Sequence, residues 1–179
     1  MTARMSAKEA QSRRQQIVQA ARWCFLNLGY ARTSLKAIAE RAGLGRPLLY
    51  LAFPNKEAIF VAVLEDGFEA RCEAAEVVAE SKLGRRERLM RTCELLLLEP
   101  WADMAKAPQA LEFFEVCGEL APKIEERQRR RVQKCLQGLL GSREVTEVFL
   151  LALDGIEGDL PSNALLRRRV ELLVERFAT

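Results

Sequence analysis

The 179-residue sequence contains no histidine. This absence excludes Ser-His and Cys-His nucleophile pairs and removes the commonest metal ligand in proteins. An enzyme would have to work with carboxylates or lysines, for example with the pair Glu112 and Glu115 on a helical bundle. No Glu-x-x-His motif accompanies this pair to hold a metal. The sequence therefore disfavours an enzyme, and we predict no catalytic residue, no metal and no cofactor.

Long apolar runs and paired cysteines are missing as well. No apolar stretch approaches the length of a membrane span, and the N-terminal segment lacks the apolar centre of a signal peptide. The five cysteines are odd in number, form no C-x-x-C motif and lie among apolar residues, as free thiols do in a reducing compartment. We therefore expect a cytoplasmic protein that does not associate with membranes.

Glycine, proline and aromatic residues are scarce, whereas 49% of the residues are hydrophobic and 30% are charged. This composition predicts an all-α fold, and the chain is long enough to bury a sizeable core. Residues 1–55 carry nine basic and two acidic side chains, a net charge of +7, whereas residues 56–179 carry nineteen basic and twenty-three acidic ones, a net charge of −4. This asymmetry predicts a nucleic-acid-binding domain, residues 1–55, joined to a body, residues 56–179, with another task.

Hydrophobic spacing and capping residues predict three helices in the basic domain. A capping-box pattern at Ser6 opens the first helix, which runs from about Ala7, or from Ser12 if the N-terminal arm frays, to Leu28 before a glycine. Thr33 is predicted to cap a second helix that ends near Arg41, and Gly45 begins the third. The glycines at 43 and 45 do not fit a phosphate-binding loop, because no strand precedes them and no Lys-Ser/Thr pair follows. Two short helices joined by a glycine-containing turn are instead typical of a helix-turn-helix unit.

Residues 16–65 resemble the N-terminal DNA-binding domain of the tetracycline-repressor (TetR) family of transcriptional regulators. The resemblance implies that the second and third helices read DNA, and that a fourth helix, starting after Asn55, leads to a body that binds a ligand and dimerises. The matching positions are Ala20, Ala21, Phe25, Gly29, Tyr30, Thr33, Ile38, Ala39, Ala42, Gly43, Leu49, Tyr50, Phe53, Lys56, Glu57 and Phe60.

The resemblance also implies which residues face DNA. Arg46 is the residue of the third helix able to make a forked contact with guanine, and Leu48 can offer apolar contact to a thymine methyl. At Gly45 and Leu48 the family usually has small polar residues, and at Ala52 often histidine, so a ligand-binding or scaffolding dimer without DNA affinity is the alternative function. The predicted DNA-binding residues are Thr33, Ser34, Lys36, Gly45, Arg46, Pro47, Leu48, Tyr50 and Lys56. Among them Thr33, Lys36, Tyr50 and Lys56 are predicted to hold phosphates.

The body is predicted to contain six more helices after the fourth. The fifth runs from about Arg85 to Glu99 and is broken at Pro100, the eighth ends at Gly141, and two closing helices meet near Pro161. The arginine-rich run at 127–131 could bind nucleic acid, but acidic residues four positions earlier favour a solvated, ion-paired face.

Two functions are predicted for the body. The resemblance implies a cavity for an unknown small-molecule effector, and a buried carboxylate beside its aromatic residues would favour a cationic apolar compound, although the same residues fit an ordinary core. The predicted ligand-binding residues are Met90, Cys93, Leu97, Trp101, Met104, Phe113, Phe114 and Cys117. The long apolar faces of the two closing helices predict a homodimer. We therefore expect a repressor that binds a palindromic operator in double-stranded DNA as a dimer.

Overall fold

The computed structural model describes residues 7–178, except for the side chain of Glu125. Within these residues the fold is all-α, as predicted, and contains no strand. The predicted capping box at Ser6 lies outside the described residues. The ten helices are α1 (Ala7–Leu28), α2 (Leu35–Arg41), α3 (Arg46–Ala52), α4 (Lys56–Ala79), α5 (Arg85–Cys93), α6 (Glu99–Met104), α7 (Ala110–Leu120), α8 (Pro122–Leu140), α9 (Arg143–Glu157) and α10 (Asn163–Phe177).

The helices form two compact units. The first unit comprises the described residues up to Gly67 together with Ala107–Ile124, and the second comprises Phe68–Lys106 and the described residues from 125 onward. Helix α4 therefore contributes residues to both units, and α7 belongs to the first unit although it follows α5 and α6 in the sequence. The predicted boundary between a DNA-binding domain, residues 1–55, and a body, residues 56–179, stays a prediction.

The core of the first unit is built around aromatic rings. Phe25 of α1 lies edge-on to Phe60 of α4, with 5.2 Å between the ring centres, and Phe113 of α7 lies 5.0 Å from Phe60. All three side chains are buried. Aromatic pairs at such distances contribute about 0.5–1.5 kcal/mol beyond the burial of their area. Helix α7 is thereby held against α4, which packs on α1 through the contact of Phe60 with Phe25.

The core of the second unit is aliphatic, with one aromatic pair at 5.2 Å between Phe149 and Phe177. In α8, Arg131 donates two hydrogen bonds to Glu76, at 2.8 and 2.9 Å, and one to Glu69 at 2.6 Å. These bonds tie α8 to the later turns of α4. Arg129 and Arg130 pair with Asp154 and Glu126, so the arginine-rich run is occupied by carboxylates.

Pro100 does not break the helical backbone, in contrast to the prediction. A five-residue π-helical segment, Glu94–Leu98, connects α5 to α6, and the N–H of Glu99 donates to the carbonyl of Glu94. Proline normally ends a helix because it lacks an N–H and its ring meets the carbonyl four residues earlier. The wider π turn, with bonds between residues five apart, shifts that carbonyl and leaves room for the ring. Pro100 consequently occupies the first turn of α6.

No single helix among the described residues is long and apolar enough to cross a membrane. Helices α3 and α4 pass the length and composition test only as a pair, and they are bent by 65° relative to each other.

Candidate nucleic-acid interface

The start of α2 is capped by Ser34, not by Thr33 as predicted. The hydroxyl of Ser34 accepts a hydrogen bond from the N–H of Ala37 at 3.1 Å. Thr33 is 1% exposed, and its hydroxyl donates to the carbonyl of Gly29 at 2.6 Å. A buried hydroxyl with a partner cannot also hold a phosphate, so we remove the Thr33 side chain from the predicted DNA-binding set and keep the exposed Ser34 and Lys36.

The turn between α2 and α3 depends on a left-handed residue. Gly43 has φ of +67°, a conformation that side chains with a Cβ rarely adopt, and it ends α2 after Ala42. Gly45 then occupies the N-cap of α3 in an extended conformation, with no side chain to satisfy the exposed N–H groups. Pro47 lies in the first turn, where its missing N–H has no intrahelical role. The predicted helix-turn-helix is thus formed.

One buried residue orients α3. Leu49 is fully buried, whereas Arg46, Pro47 and Tyr50 are exposed and Leu48 is half-buried. Arg46 forms no hydrogen bond or ion pair with residues 7–178, so its guanidinium is free to meet a base edge. Leu51, which is not among the predicted DNA-binding residues, is 80% exposed. Because leucine is apolar, Leu51 is expected in the core. Only its position two residues after Leu49 in a helix could have indicated that it lies on the outer face.

Two basic side chains bind backbone carbonyls of the first unit, Arg14 at the end of α3 and Lys56 in the loop before α2. The guanidinium of Arg14 stacks on the ring of Phe53 at 4.2 Å and donates to the carbonyl of Ala52 at 3.4 Å. Lys56 donates to the carbonyls of Tyr30 and Thr33 at 2.7 and 3.1 Å. Burial lowers the pKa of Lys56, and the negative charge of Glu112 acts in the opposite direction. The ammonium predicted to hold a phosphate is therefore engaged within the protein, and we assign Lys56 a positioning role.

Other charges of the unit remain on its surface. The side chain of Lys36 is 66% exposed, and its ammonium lies 3.7 Å from a carboxylate oxygen of Glu40. Because exposed ion pairs of this kind are weak, the ammonium is available to a phosphate. Arg41, at the end of α2, stacks on the exposed ring of Trp23 at 3.4 Å. One face of the Trp23 ring is therefore covered by a cation.

The structure distributes the predicted ligand-binding residues over both units. Phe113, Phe114 and Cys117 lie on α7 in the first unit, where Phe113 and Cys117 are core residues and Phe114 is 51% exposed. Met90, Cys93, Leu97, Trp101 and Met104 belong to the second unit. These eight residues consequently do not form one cluster within either unit.

Within the second unit Trp101 and Met90 have different surroundings. The indole N–H of Trp101 donates to the carbonyl of Pro161 at 3.2 Å, and its ring packs against the core. Met90 lines a surface groove of about 490 Å³ together with Val174 and charged residues of α5 and α10. Among the residues described, no group of three His, Cys, Asp or Glu side chains is arranged to hold a metal.

The geometry defines a helix-turn-helix within the first unit, followed in the fold by a second helical unit. Residues 17–63 match the model of bacterial regulatory proteins of the tetR family. The chain is 35% identical over 101 residues to the HTH-type transcriptional regulator TtgR of Pseudomonas putida, covering 54% of the chain and 48% of TtgR. It is 35% identical over 79 residues to the transcriptional repressor AcnR of Corynebacterium diphtheriae, covering 44% of the chain and 40% of AcnR. The matches therefore span about half the length of these curated relatives or less.

Solved structures share the fold over nearly the whole chain. A TetR transcription regulator from Haloarcula marismortui matches with a TM-score of 0.74 at 19% identity, covering 93% of this chain and 97% of that one. SmeT, the repressor of the Stenotrophomonas maltophilia multidrug efflux pump SmeDEF, matches with a TM-score of 0.66 at 19% identity, covering 92% and 87%. Residues 17–63 of the chain are therefore similar to the N-terminal domain of TetR-family transcriptional regulators, and the chain shares its fold with solved TetR-family structures.

Proposed function

We propose that the chain is a ligand-responsive repressor that binds a palindromic operator as a homodimer in the cytoplasm. The observation that carries the proposal is the orientation of α3, whose buried Leu49 directs Arg46, Tyr50 and Leu51 outward. An exposed arginine, a tyrosine hydroxyl and an apolar side chain on one short helix suit guanine, phosphate and a thymine methyl. The net charge of +7 on residues 1–55 favours a polyanionic partner.

The exposed leucines and valines of α9 and α10 support dimerisation. Val145, Val148 and Leu151 follow one another at intervals of three along α9 and are 37%, 56% and 66% exposed. Leu165 and Leu172 of α10 are 42% and 54% exposed. Apolar surface on two neighbouring helices of one unit suits a self-complementary interface, in which a second copy supplies the same two helices.

A small-molecule effector bound in the second unit is the proposed signal. A solved structure of SmeT in complex with triclosan, with a TM-score of 0.63 at 18% identity, supports this idea by analogy of fold. Because α4 contributes residues to both units, a ligand that favours one of two positions of residues 68–79 would act on DNA binding through this helix. Such a ligand acts only through its differential affinity for the two positions.

Selection of bound oligonucleotides from a random library tests the DNA-binding proposal. Two identical first units related by a two-fold axis should enrich an inverted repeat, with half-sites about one helical turn or roughly 34–36 Å apart. Affinity for the enriched site should fall steeply with salt, since phosphate contacts release counterions. Failure to enrich any sequence at low ionic strength would contradict the proposal.

A second experiment tests the effector. We expect a screen of apolar and cationic apolar compounds to find one that quenches Trp101 fluorescence in a Trp23→Phe variant and shifts operator affinity by about 1–3 kcal/mol, a common coupling between two sites. Linkage requires the operator to change the affinity for that compound by the same factor. A compound that binds with equal affinity in the presence and absence of operator would contradict the effector proposal.

A ligand-binding or scaffolding dimer without DNA affinity remains the second candidate. The observation that favours it is the start of α3, where Gly45 offers no side chain to a phosphate. Capture of genomic DNA by the immobilised protein separates the two functions, because a scaffold would retain DNA only without sequence preference.

A further inference from the structure

The loop between α1 and α2 is held by a carboxylate from α7. Oε1 of Glu112 accepts a hydrogen bond from the backbone N–H of Ala31 at 2.8 Å. Ala31 and Glu112 are 81 positions apart in the sequence, and both belong to the first unit. The loop leads directly to Ser34, the N-cap of α2.

The opposite pole of the same peptide group is held by Lys56. The carbonyl of Tyr30 and the N–H of Ala31 form one peptide unit, and Lys56 donates to that carbonyl at 2.7 Å. Lys56 also donates to the carbonyl of Thr33, at 3.1 Å, so both ends of the loop are fixed. A peptide group with a cation at its oxygen and an anion at its nitrogen has its dipole aligned with both charges.

The backbone at Gly29 is shaped to admit the carboxylate. A Cβ at this position would lie 2.2 Å from Oε2 of Glu112, so the carboxylate would have to move away to make room for it. Gly29 also has φ of +90°, which ends α1. Gly141 has a similar φ of +83°, but a Cβ there would meet nothing within 4 Å. The contact at Gly29 is thus specific to Glu112 and does not follow from the turn alone.

Helix α7 is anchored on both sides of Glu112. The N–H of Gln109 donates to the carbonyl of Leu26 at 3.0 Å, and Phe113 packs its ring on Phe60 at 5.0 Å. Glu112 therefore projects from a support that is itself joined to α1 and α4. A side chain on such a support holds the loop more rigidly than a residue of the loop could.

We propose that Glu112 is a positioning residue for DNA recognition, clamping the Tyr30–Ala31 peptide group and thereby setting the start of α2 against the DNA backbone. This inference rests on the proposed function as a DNA-binding regulator. Glu112 touches no DNA in this scheme. It acts through Ser34 and Lys36, whose positions depend on the conformation of the loop before them.

Operator affinity of three variants tests the proposal. Glu112→Ala removes the acceptor, and we expect about three- to tenfold weaker binding of the selected operator, the range that one hydrogen bond supports. Glu112→Gln keeps an acceptor for Ala31 and should bind within about twofold of the original chain. Glu115→Ala, an exposed glutamate of the same helix, is the matched control and should bind unchanged.

Hydrogen exchange of the Ala31 amide separates positioning from a general loss of stability. Exchange should become faster in Glu112→Ala and stay slow in Glu112→Gln, while the melting curves of both remain close to that of the original chain. Unchanged operator affinity and unchanged Ala31 exchange in Glu112→Ala would overturn the inference. A chain that binds no operator even before substitution would contradict the proposed function instead.

A stability cycle tests the contact even where DNA binding is lost. Gly29→Ala should cost less stability in the Glu112→Ala background than in the original chain, because the clash with the carboxylate is gone. Gly141→Ala should lower the stability by the same amount in both backgrounds, because Gly141 has a positive φ like Gly29 but no clash with a side chain. Equal costs of Gly29→Ala in the two backgrounds would show that the carboxylate does not occupy this space.

Discussion

The ammonium of Lys56 lies 2.7 Å from the carbonyl oxygen of Tyr30 and 4.2 Å from the centre of the same residue's ring. It thus joins the first residue of α4 to the loop that precedes α2. A lysine with two carbonyl partners and an aromatic face has little reason to turn outward, because its ammonium would lose all three contacts for one phosphate.

Replacement of Lys56 should therefore act mainly on the stability of the protein and not on a direct contact with DNA. We expect Lys56→Met to lower the free energy of unfolding by about 1–2 kcal/mol, the net value of hydrogen bonds from a charged group reduced for partial exposure. Lys36→Met, at a position with an exposed ammonium, should leave stability nearly unchanged. Denaturant unfolding of the two variants checks this, and equal stability would return Lys56 to the phosphate-binding set.

Arg46 and Lys36 should have different effects on DNA binding. Arg46→Ala is expected to cost about 1–3 kcal/mol on the selected operator and to relax the preference at one base pair. Lys36→Ala should weaken all sequences alike and reduce the slope of log affinity against log salt by about one. Salt titrations on the operator and on scrambled DNA measure both effects. Equal loss of specificity in both variants would contradict the assignment of these roles.

The N-cap of α3 offers a stabilising substitution. Gly45 has φ of −70°, and a Cβ there would meet only the ring of Pro47 at an ordinary contact distance of 3.7 Å. Gly45→Ser should stabilise the protein by a few tenths of a kcal/mol, because its hydroxyl can accept from a free N–H of the first turn. It should also strengthen operator binding by adding a hydroxyl near the backbone.

Gly45→Ala serves as the control, since it adds the Cβ without the hydroxyl. Alanine is a poor N-cap, so we expect this variant to be less stable than Gly45→Ser by about 1 kcal/mol. Thermal melts measure the difference in stability between the two variants, and identical curves would show that the hydroxyl does not cap α3.

A charge on the apolar stripe of α9 should separate the proposed dimer. Leu151 is 66% exposed, and Leu151→Glu would place an unpaired carboxylate in the interface. We expect this variant to sediment as a monomer and to bind the full operator much more weakly than the original chain. Val77 of α4 is 71% exposed, and Val77→Glu should remain dimeric. A dimeric Leu151→Glu variant would place the interface elsewhere.

Two buried cysteines should cause the stability of the protein to fall at alkaline pH. Burial raises the pKa of Cys72 to about 11 and that of Cys93 to about 12. An unfolded thiol ionises near pH 8.5, so stability is fully present below that pH and is lost as the pH rises toward 11 to 12. Unfolding free energies at pH 7 and pH 10 measure this loss, which Cys72→Ala should reduce.

The same burial predicts slow thiol chemistry in the folded state. Because the thiolate is the reactive form, Cys72 and Cys93 should resist a thiol reagent at pH 8 until the protein unfolds. Both residues are only 2–3% exposed, which also restricts access of the reagent. Rapid modification of Cys93 in the folded protein would contradict its buried position.

Local chemistry was readable from the sequence. The scarcity of glycine and proline, the helical spacing of apolar residues and the glycines at 29, 43 and 141 predicted an all-α chain and the places where α1, α2 and α8 end. All three glycines have positive φ in the structure. The helix-turn-helix followed from the same signals, because capping, turn formation and period depend on residues only a few positions apart.

Only the tertiary structure decided which neighbours these helices have. It buried Thr33 and turned Lys56 inward, and it brought α7 into the first unit, so that Phe113 became a core residue and Glu112 reached Ala31 across 81 positions. It also divided the predicted ligand-binding residues between two units. The spacing of apolar residues shows which face of a helix is apolar, but it does not show which other helix that face packs against. That choice depends on shape and charge at contacts between distant segments, which a local pattern does not contain.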